Sequence, residues 1–501
     1  MKLLHRWTGI ILAIFIILFA ASGIVLNHRS FFSRIDVPRK LLPKTYQYHN
    51  WNFSAVKSGT FIGADSLLIY GNIGIWLTDS AFSSYEPYYA GIRKGTDNRR
   101  TASIVKTERG NVFAGTMSGL YQLHNNQWQM IPVPVKERRI VSLLESPHAL
   151  RVMTRSHLLH LCEEELTLSK IGLKAPYDHK PETSLFRALW VIHSGKILGT
   201  PGKLFVDLMG LAMIFLSVTG IIWFVAPDTM KMLRKKVNAR KKLAKINRFS
   251  LKWHNHVGIW LLVFFLILTI TGMFLRPPLL IPIVTKTFPA IKHTILAHPN
   301  PWYDKLRDIH YDRFLEGYIL STSDGFYYSE PHFEDSLARI PHQPPISVMG
   351  INVFEQPEDG VFITGSFSGI LRWIPAQFEV FDFITGAPVT PARGMANPFG
   401  SIPVAGYLSI PGKKELLFDY NAGVLSLKRG NTPPVMPEIV KRNSPMPLWN
   451  LALEIHTGRF YSFFLGRYYI LFIPIVGLAT VVMLISGTVV WWRKYRKKVN
   501  P

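Results

Sequence analysis

The sequence predicts a membrane protein: a four-helix α-helical bundle built from two tandem repeats, with a large β-rich domain on one side of the bilayer. Three observations predict it. Four windows, Trp7–Leu26, Leu204–Val225, Ile259–Leu275 and Tyr469–Trp492, are apolar enough and about long enough to cross a hydrocarbon core of roughly 30 Å. The first and third windows match at an offset of 249 residues, His5 falling on His254, Gly9 on Gly258 and Gly23 on Gly272. The long stretches between the windows are rich in β-branched and aromatic residues broken by glycine turns.

The chain of 501 residues carries a formal charge of +25, a value that invites a nucleic-acid reading. The charge is placed otherwise. Lys2 and Arg6 precede the first window, ten Lys/Arg and one acid fill the loop Asp228–Lys252, and five more basic residues follow Trp492. By the positive-inside rule these three segments face the cytoplasm, so most of the basicity is a topology signal and nucleic acid is not a partner. The first window is too long for a signal-peptide core and no A-x-A site follows it, so it reads as an uncleaved anchor. The expected location is a bacterial inner membrane, multi-pass, with both termini cytoplasmic and a large periplasmic domain. A single cysteine, Cys162, excludes an internal disulfide.

In order along the chain, the reading gives a first membrane helix (1–27), a β-rich segment (28–183), and an interfacial helix with the second membrane helix (184–227). The basic loop (228–252), third membrane helix (253–276) and second β-rich segment (277–446) follow. An interfacial helix with the fourth membrane helix (447–492) and a cytoplasmic tail (493–501) complete it. The second half of each repeat also matches: "VIHSG" at 191–195 pairs with "EIHTG" at 454–458, and "GLAMIFLSVTG" with "GLATVVMLISG". Glycines at matched positions fit close contacts between membrane helices. Six hairpins are expected, at 67–79, 112–124 and 150–162 in the first half and at 318–329, 361–374 and 416–428 in the second. Three hairpins per half suggest a six-bladed propeller assembled from both segments; the alternative is two separate small β domains.

Histidine is rare near hydrocarbon, so the histidines at the membrane boundaries are the candidate site. His5 and His254 lie at the cytoplasmic ends of the first and third helices, and His193 and His456 on the external approach to the second and fourth. Both pairs match between repeats. His28 ends the first helix but its counterpart is Pro277, and His256 lies two residues from His254, so only one of those two can face inward. A lone histidine at an interface is ordinarily a helix-end residue. Matched pairs across a symmetry axis instead suit bis-histidine ligation of haem iron, two neutral imidazoles on opposite axial faces. His5 and His28 stand about 34 Å apart along a helix, so ligands at both faces imply two haems. Zinc is the weaker metal reading, since close cysteine and histidine spacings are missing. Without C-x-x-C-H, any haem is non-covalent.

"LHRWTG" opening the first helix, "IHSGKILG" before the second and "GLAMIFLSVTGIIWF" within it resemble the PepSY-associated transmembrane family, which includes iron-regulated membrane proteins and ferrisiderophore reductases. The resemblance implies an oxidoreductase: a transmembrane ferric reductase using two b haems to deliver electrons to periplasmic iron(III), often siderophore-bound. It carries over His5, His193, His254 and His456. No PepSY α/β unit is visible in the external segments, and no G-x-G-x-x-G fingerprint, so the cytoplasmic or quinol donor is a partner or a diffusible reductant. The alternative is a non-enzymatic, membrane-anchored binding or scaffold protein. A transporter fits worst, because the helices carry almost no polar residues at mid-membrane.

Overall fold

The computed structural model describes residues 1–146, 149–177, 179–345, 350–389, 400, 402–427 and 432–499. The chain forms two compact units. Residues Met1–Phe32, Lys180–His298 and Leu448–Pro501 make a helical unit; Ser33–His179 and Pro299–Pro447 make a β-rich unit.

The main helices of the helical unit are α1 (Lys2–Asn27), α2 (Leu185–His193), α3 (Gly199–Met232), α4 (Val237–Trp260), α5 (Leu262–Phe274), α6 (Leu448–His456) and α7 (Phe472–Val499). Among the described residues, three spans are long and apolar enough to cross a membrane: Lys2–Asn27, Lys196–Met232 and Arg459–Lys494. They turn Ile11, Ile14, Leu204, Leu208, Leu211, Ile475 and Leu478 outward, as lipid-facing helices do. The third expected window departs from a straight span. It is divided between α4 and α5, which meet at Leu261 with a bend of 67° and count as one span only if taken together. Sharp bends usually sit at Pro or Gly, and Trp260–Leu262 holds neither, so the sequence pattern does not announce the break.

The short helices before the membrane spans have defined ends. Ser184 caps α2, its Oγ accepting from the Arg187 N–H at 3.1 Å. Two residues beyond His193 and His456, Gly195 and Gly458 adopt left-handed φ values of +74° and +80°. This is how helices commonly terminate, and it explains the repeated H-[ST]-G. A Cβ on Gly195 would lie 2.1 Å from the Gly202 carbonyl oxygen, so the chain reverses there only without a side chain. Residues 277–298, expected in the second β-rich segment, belong to the helical unit instead: Thr287–Pro289 pairs antiparallel with Glu182–Ser184. Three residues per strand are too few to show a period.

The β-rich unit contains six antiparallel meanders, each running in chain order. The first five have four strands, beginning at Ser58–Phe61, Thr101–Lys106, Ile140–Ser146, Leu306–Asp312 and Val353–Glu358; the sixth, beginning at Val404–Ile410, has three. Each expected hairpin is the pairing of the second and third strands of one sheet, as in Ile69 opposite Trp76 and Gly365 opposite Ile370. Lys428, the last residue of the sixth hairpin, lies outside the described residues. The strands missed are those flanking the hairpins, where polar or partly exposed positions interrupt the apolar run, as in Ser58–Phe61 and Leu306–Asp312.

Alternate side chains of one strand point to opposite faces, and both faces are covered here. Leu68, Tyr70 and Ile75 of the first sheet pack on Ile104, Val112 and Tyr121 of the second. Leu67, Ile69 and Trp76, on its other face, pack on Leu408, Leu416 and Phe418 of the sixth. Shared clusters likewise join the second sheet to the third, the third to the fourth, the fourth to the fifth and the fifth to the sixth. Burial on both faces is why the inner strands read as continuous apolar runs.

Candidate functional site: two histidine pairs

The helical unit brings the four matched histidines together two by two. His5 on α1 faces His254 on α4 with ring centroids 6.2 Å apart and planes at 73°. His193, the last residue of α2, faces His456, the last residue of α6, at 5.8 Å and 53°. All four rings are half-buried. His456 docks against the segment Phe19–Gly23 of α1, so along that helix the second pair lies about 21–26 Å from His5.

Every ring is held through Nδ1 by a helix other than its own. His5 Nδ1 lies 3.0 Å from the Met483 carbonyl oxygen on α7, and His456 Nδ1 lies 3.0 Å from that of Phe19 and 3.1 Å from Ser22 Oγ on α1. His193 Nδ1 lies 3.0 Å from the Leu268 carbonyl oxygen and 3.3 Å from Thr271 Oγ1 on α5. His254 Nδ1 meets Thr219 Oγ1 on α3 at 3.0 Å. Among the described residues, none of the four Nε2 atoms makes a hydrogen bond.

The glycine after each hydroxyl residue leaves the room. A Cβ would stand 2.7 Å from His5 Cε1 at Gly487, 2.8 Å from His193 Cε1 at Gly272, 3.2 Å from His456 Cε1 at Gly23 and 3.5 Å from His254 Cε1 at Gly220. These glycines, expected to mediate helix contacts, seat histidines instead. Gly210, close to Ile24 and the Ala20 carbonyl, fills the expected role. These Ser/Thr–Gly steps carry no expectation from the sequence pattern, although Ser22-Gly23, Thr219-Gly220, Thr271-Gly272 and Ser486-Gly487 place one in every long apolar window, the first of which also holds Thr8-Gly9.

His28 and His256 are not brought to either pair. His28 Nε2 contacts Asp207 Oδ2 of α3 at 2.6 Å, and Asn27 Nδ2 donates to the same carboxylate at 2.9 Å. The ring of His28 thus closes the end of α1 on a nearly buried acid. His256 bonds the Lys252 carbonyl of its own helix at 2.7 Å and stacks edge-on to Trp260. No cluster of three or more His, Cys, Asp or Glu able to hold a metal ion is found among the described residues. The arrangement presents facing imidazole pairs.

A family model for the PepSY-associated TM region matches residues 1–226 and 229–494. The chain belongs to the PepSY-associated TM family. Each PepSY-associated stretch supplies one member of each pair, His5 and His193 from the first and His254 and His456 from the second. No curated protein sequence matches the chain. Among solved structures, the extracellular domain of a protein described as a hybrid two-component system of B. thetaiotaomicron matches at 8% identity and a TM-score of 0.36, covering 75% of this chain and 33% of that one. Dihydro-heme d1 dehydrogenase NirN matches at 12% identity and a TM-score of 0.29, covering 75% of this chain and 57% of that one. The PepSY-associated chain thus spans a third to somewhat over half of their lengths.

Proposed function

We propose that this PepSY-associated protein is a di-haem b electron-transfer protein of the bacterial inner membrane that reduces ferric iron, free or siderophore-bound, at its periplasmic side. One observation carries the reading: the spacing of the rings. Two imidazoles on opposite faces of one iron, each through a metal–nitrogen bond of about 2 Å, bring their centroids about 6 Å apart. The two pairs stand at 6.2 and 5.8 Å. Their Nε2 atoms, without partners among the described residues, are the nitrogens such ligation uses.

His5 and His254 would hold one haem, and His193 and His456 the other. The chemistry haem supplies when bound is one-electron transfer, here from a cytoplasmic or quinol donor toward iron(III), whose reduction weakens its hold on hard oxygen ligands. The chain's own work is to fix four rings at two depths of one membrane helix, with the apolar ring of Phe19 set edge-on to His456. The ferric substrate class follows from the family resemblance.

The same reading takes α4 and α5 as one broken fourth span and the chain as a tandem repeat, in keeping with the two family-matched stretches. It puts Lys2, Arg6, the basic loop and the basic tail in the cytoplasm, and the β-rich unit in the periplasm. Six meanders, each packed on the next and the first on the sixth, support a six-bladed propeller for that unit.

The test is a vesicle assay. Protein loaded with haem is reconstituted in liposomes that enclose a membrane-impermeant reductant, with a ferric chelate and a ferrous-specific chromophore outside. Colour that forms faster than in protein-free vesicles supports the proposal. Rates equal to protein-free vesicles, in a preparation shown to contain haem, contradict it.

A further inference from the structure

We propose that Ser22-Gly23, Thr219-Gly220, Thr271-Gly272 and Ser486-Gly487 are positioning residues: each pair, with the carbonyl one turn earlier, locks a facing histidine in a single tautomer and ring orientation. The consequence for haem rests on the di-haem reading, whereas the tautomer follows from the geometry alone.

A backbone carbonyl can only accept. Where Nδ1 lies 3.0 Å from the oxygen of Met483, Leu268 or Phe19, the proton sits on Nδ1. The hydroxyls lead to the same tautomer. Thr219 Oγ1 donates to the Leu216 carbonyl at 3.0 Å, Ser22 Oγ to that of Phe19 at 3.1 Å, and Thr271 Oγ1 to that of Ile267 at 2.7 Å. With its hydrogen directed there, each oxygen is left to accept from the imidazole. A neutral ring protonated at Nδ1 carries its lone pair on Nε2. All four rings are thereby prepared as Nε2 ligands.

The motif has a helical logic. Ser or Thr folds its hydroxyl back on a carbonyl one turn earlier, and the carbonyl four residues before each glycine is Phe19, Leu216, Leu268 or Met483. In a helix the residue at i+4 normally flanks that oxygen with its Cβ. Glycine removes the Cβ and lets an imidazole from a second helix reach the carbonyl from outside. The same lock therefore joins α1 to α7, α4 to α3, α2 to α5 and α6 to α1. Hydrogen bonds of this kind orient metal-bound histidine and raise its basicity, which favours the oxidised metal.

The glycine clearances set a graded test in the full-length protein. In its apo form, in nanodiscs, ¹⁵N-histidine NMR is expected to show protonated Nδ1 and bare Nε2 at all four rings; protonated Nε2 at any of them overturns the proposal, with or without haem. After haem loading, Gly487→Ala and Gly272→Ala are each expected to shift the midpoint potential of their own haem upward or to lose that haem. Gly23→Ala should do so less and Gly220→Ala least. Four potentials equal to wild type overturn the positioning role. Should the alanine variants not fold, Thr271→Val and Ser22→Ala replace them with the same potential readout. Wild-type protein that takes up no haem defeats the di-haem reading, while the NMR arm still decides the tautomer.

Discussion

The helical unit and the β-rich unit treat their polar side chains in opposite ways. The β-rich unit has many ionisable groups and sets them against one another: Arg155 lies 2.7 Å from Asp304, Lys305 2.8 Å from Asp324, and Lys57 3.9 Å from Asp308. The helical unit has few in or beside its apolar spans, and four of them are imidazoles that spend one nitrogen on a neighbouring helix and keep the other. The difference teaches where to look for chemistry. A charged group closed in a local pair stabilises or destabilises its own fold, whereas a group held rigidly with an unused lone pair is equipped to bind something.

Substitutions that separate the two behaviours rank by expected effect. The largest is in the helical unit: His5→Ala, His254→Ala, His193→Ala or His456→Ala is each expected to remove one haem of two, since an iron that loses one axial histidine is held by the other alone. Haem content per protein checks this, and members of one pair that behave differently would break the pairing. In the β-rich unit, Trp373 is fully buried against Phe326 and Phe362. Trp373→Ala should cost about 3–5 kcal/mol through the cavity it leaves, read by chemical unfolding.

A smaller effect is expected at Glu355, whose carboxyl burial pushes up from the ordinary 4.5, with His310 and Lys57 opposing it. A raised carboxyl pKa in the folded state means stability that is complete below 4.5 and declines as pH rises toward and through the folded value. Glu355→Gln, which keeps an acceptor for Ser58 Oγ, should therefore stabilise the β-rich unit at neutral pH and give no gain below pH 4.5. Unfolding midpoints across that range check the sign. The smallest effect is at His256, bonded only within its own turn: His256→Ala should leave haem content unchanged and alter stability by less than about 0.5 kcal/mol.

Much of this contrast can be read in the sequence. Hydropathy finds the membrane windows because a bilayer accepts little else, and the 249-residue offset singles out His5 with His254 before any coordinates. The central hairpins are visible because both their faces are buried. The bend at Leu261 is hidden, since no breaker residue marks it. The fate of His28 is hidden too, because its partner Asp207 lies 179 residues away in an unrelated motif. The Ser/Thr–Gly steps were in plain view, but glycine in a membrane helix has a commoner explanation in helix contact, and only the facing imidazole reveals the second one.

The central claim is a set of facing imidazoles at two depths of one membrane helix. Its most direct test is a reduced-minus-oxidised absorption spectrum, with a haem-to-protein ratio, on protein produced with haem in supply. Two b-type haems per chain, with Soret and α bands that appear on reduction, are the expected result. A colourless preparation under those conditions would contradict it.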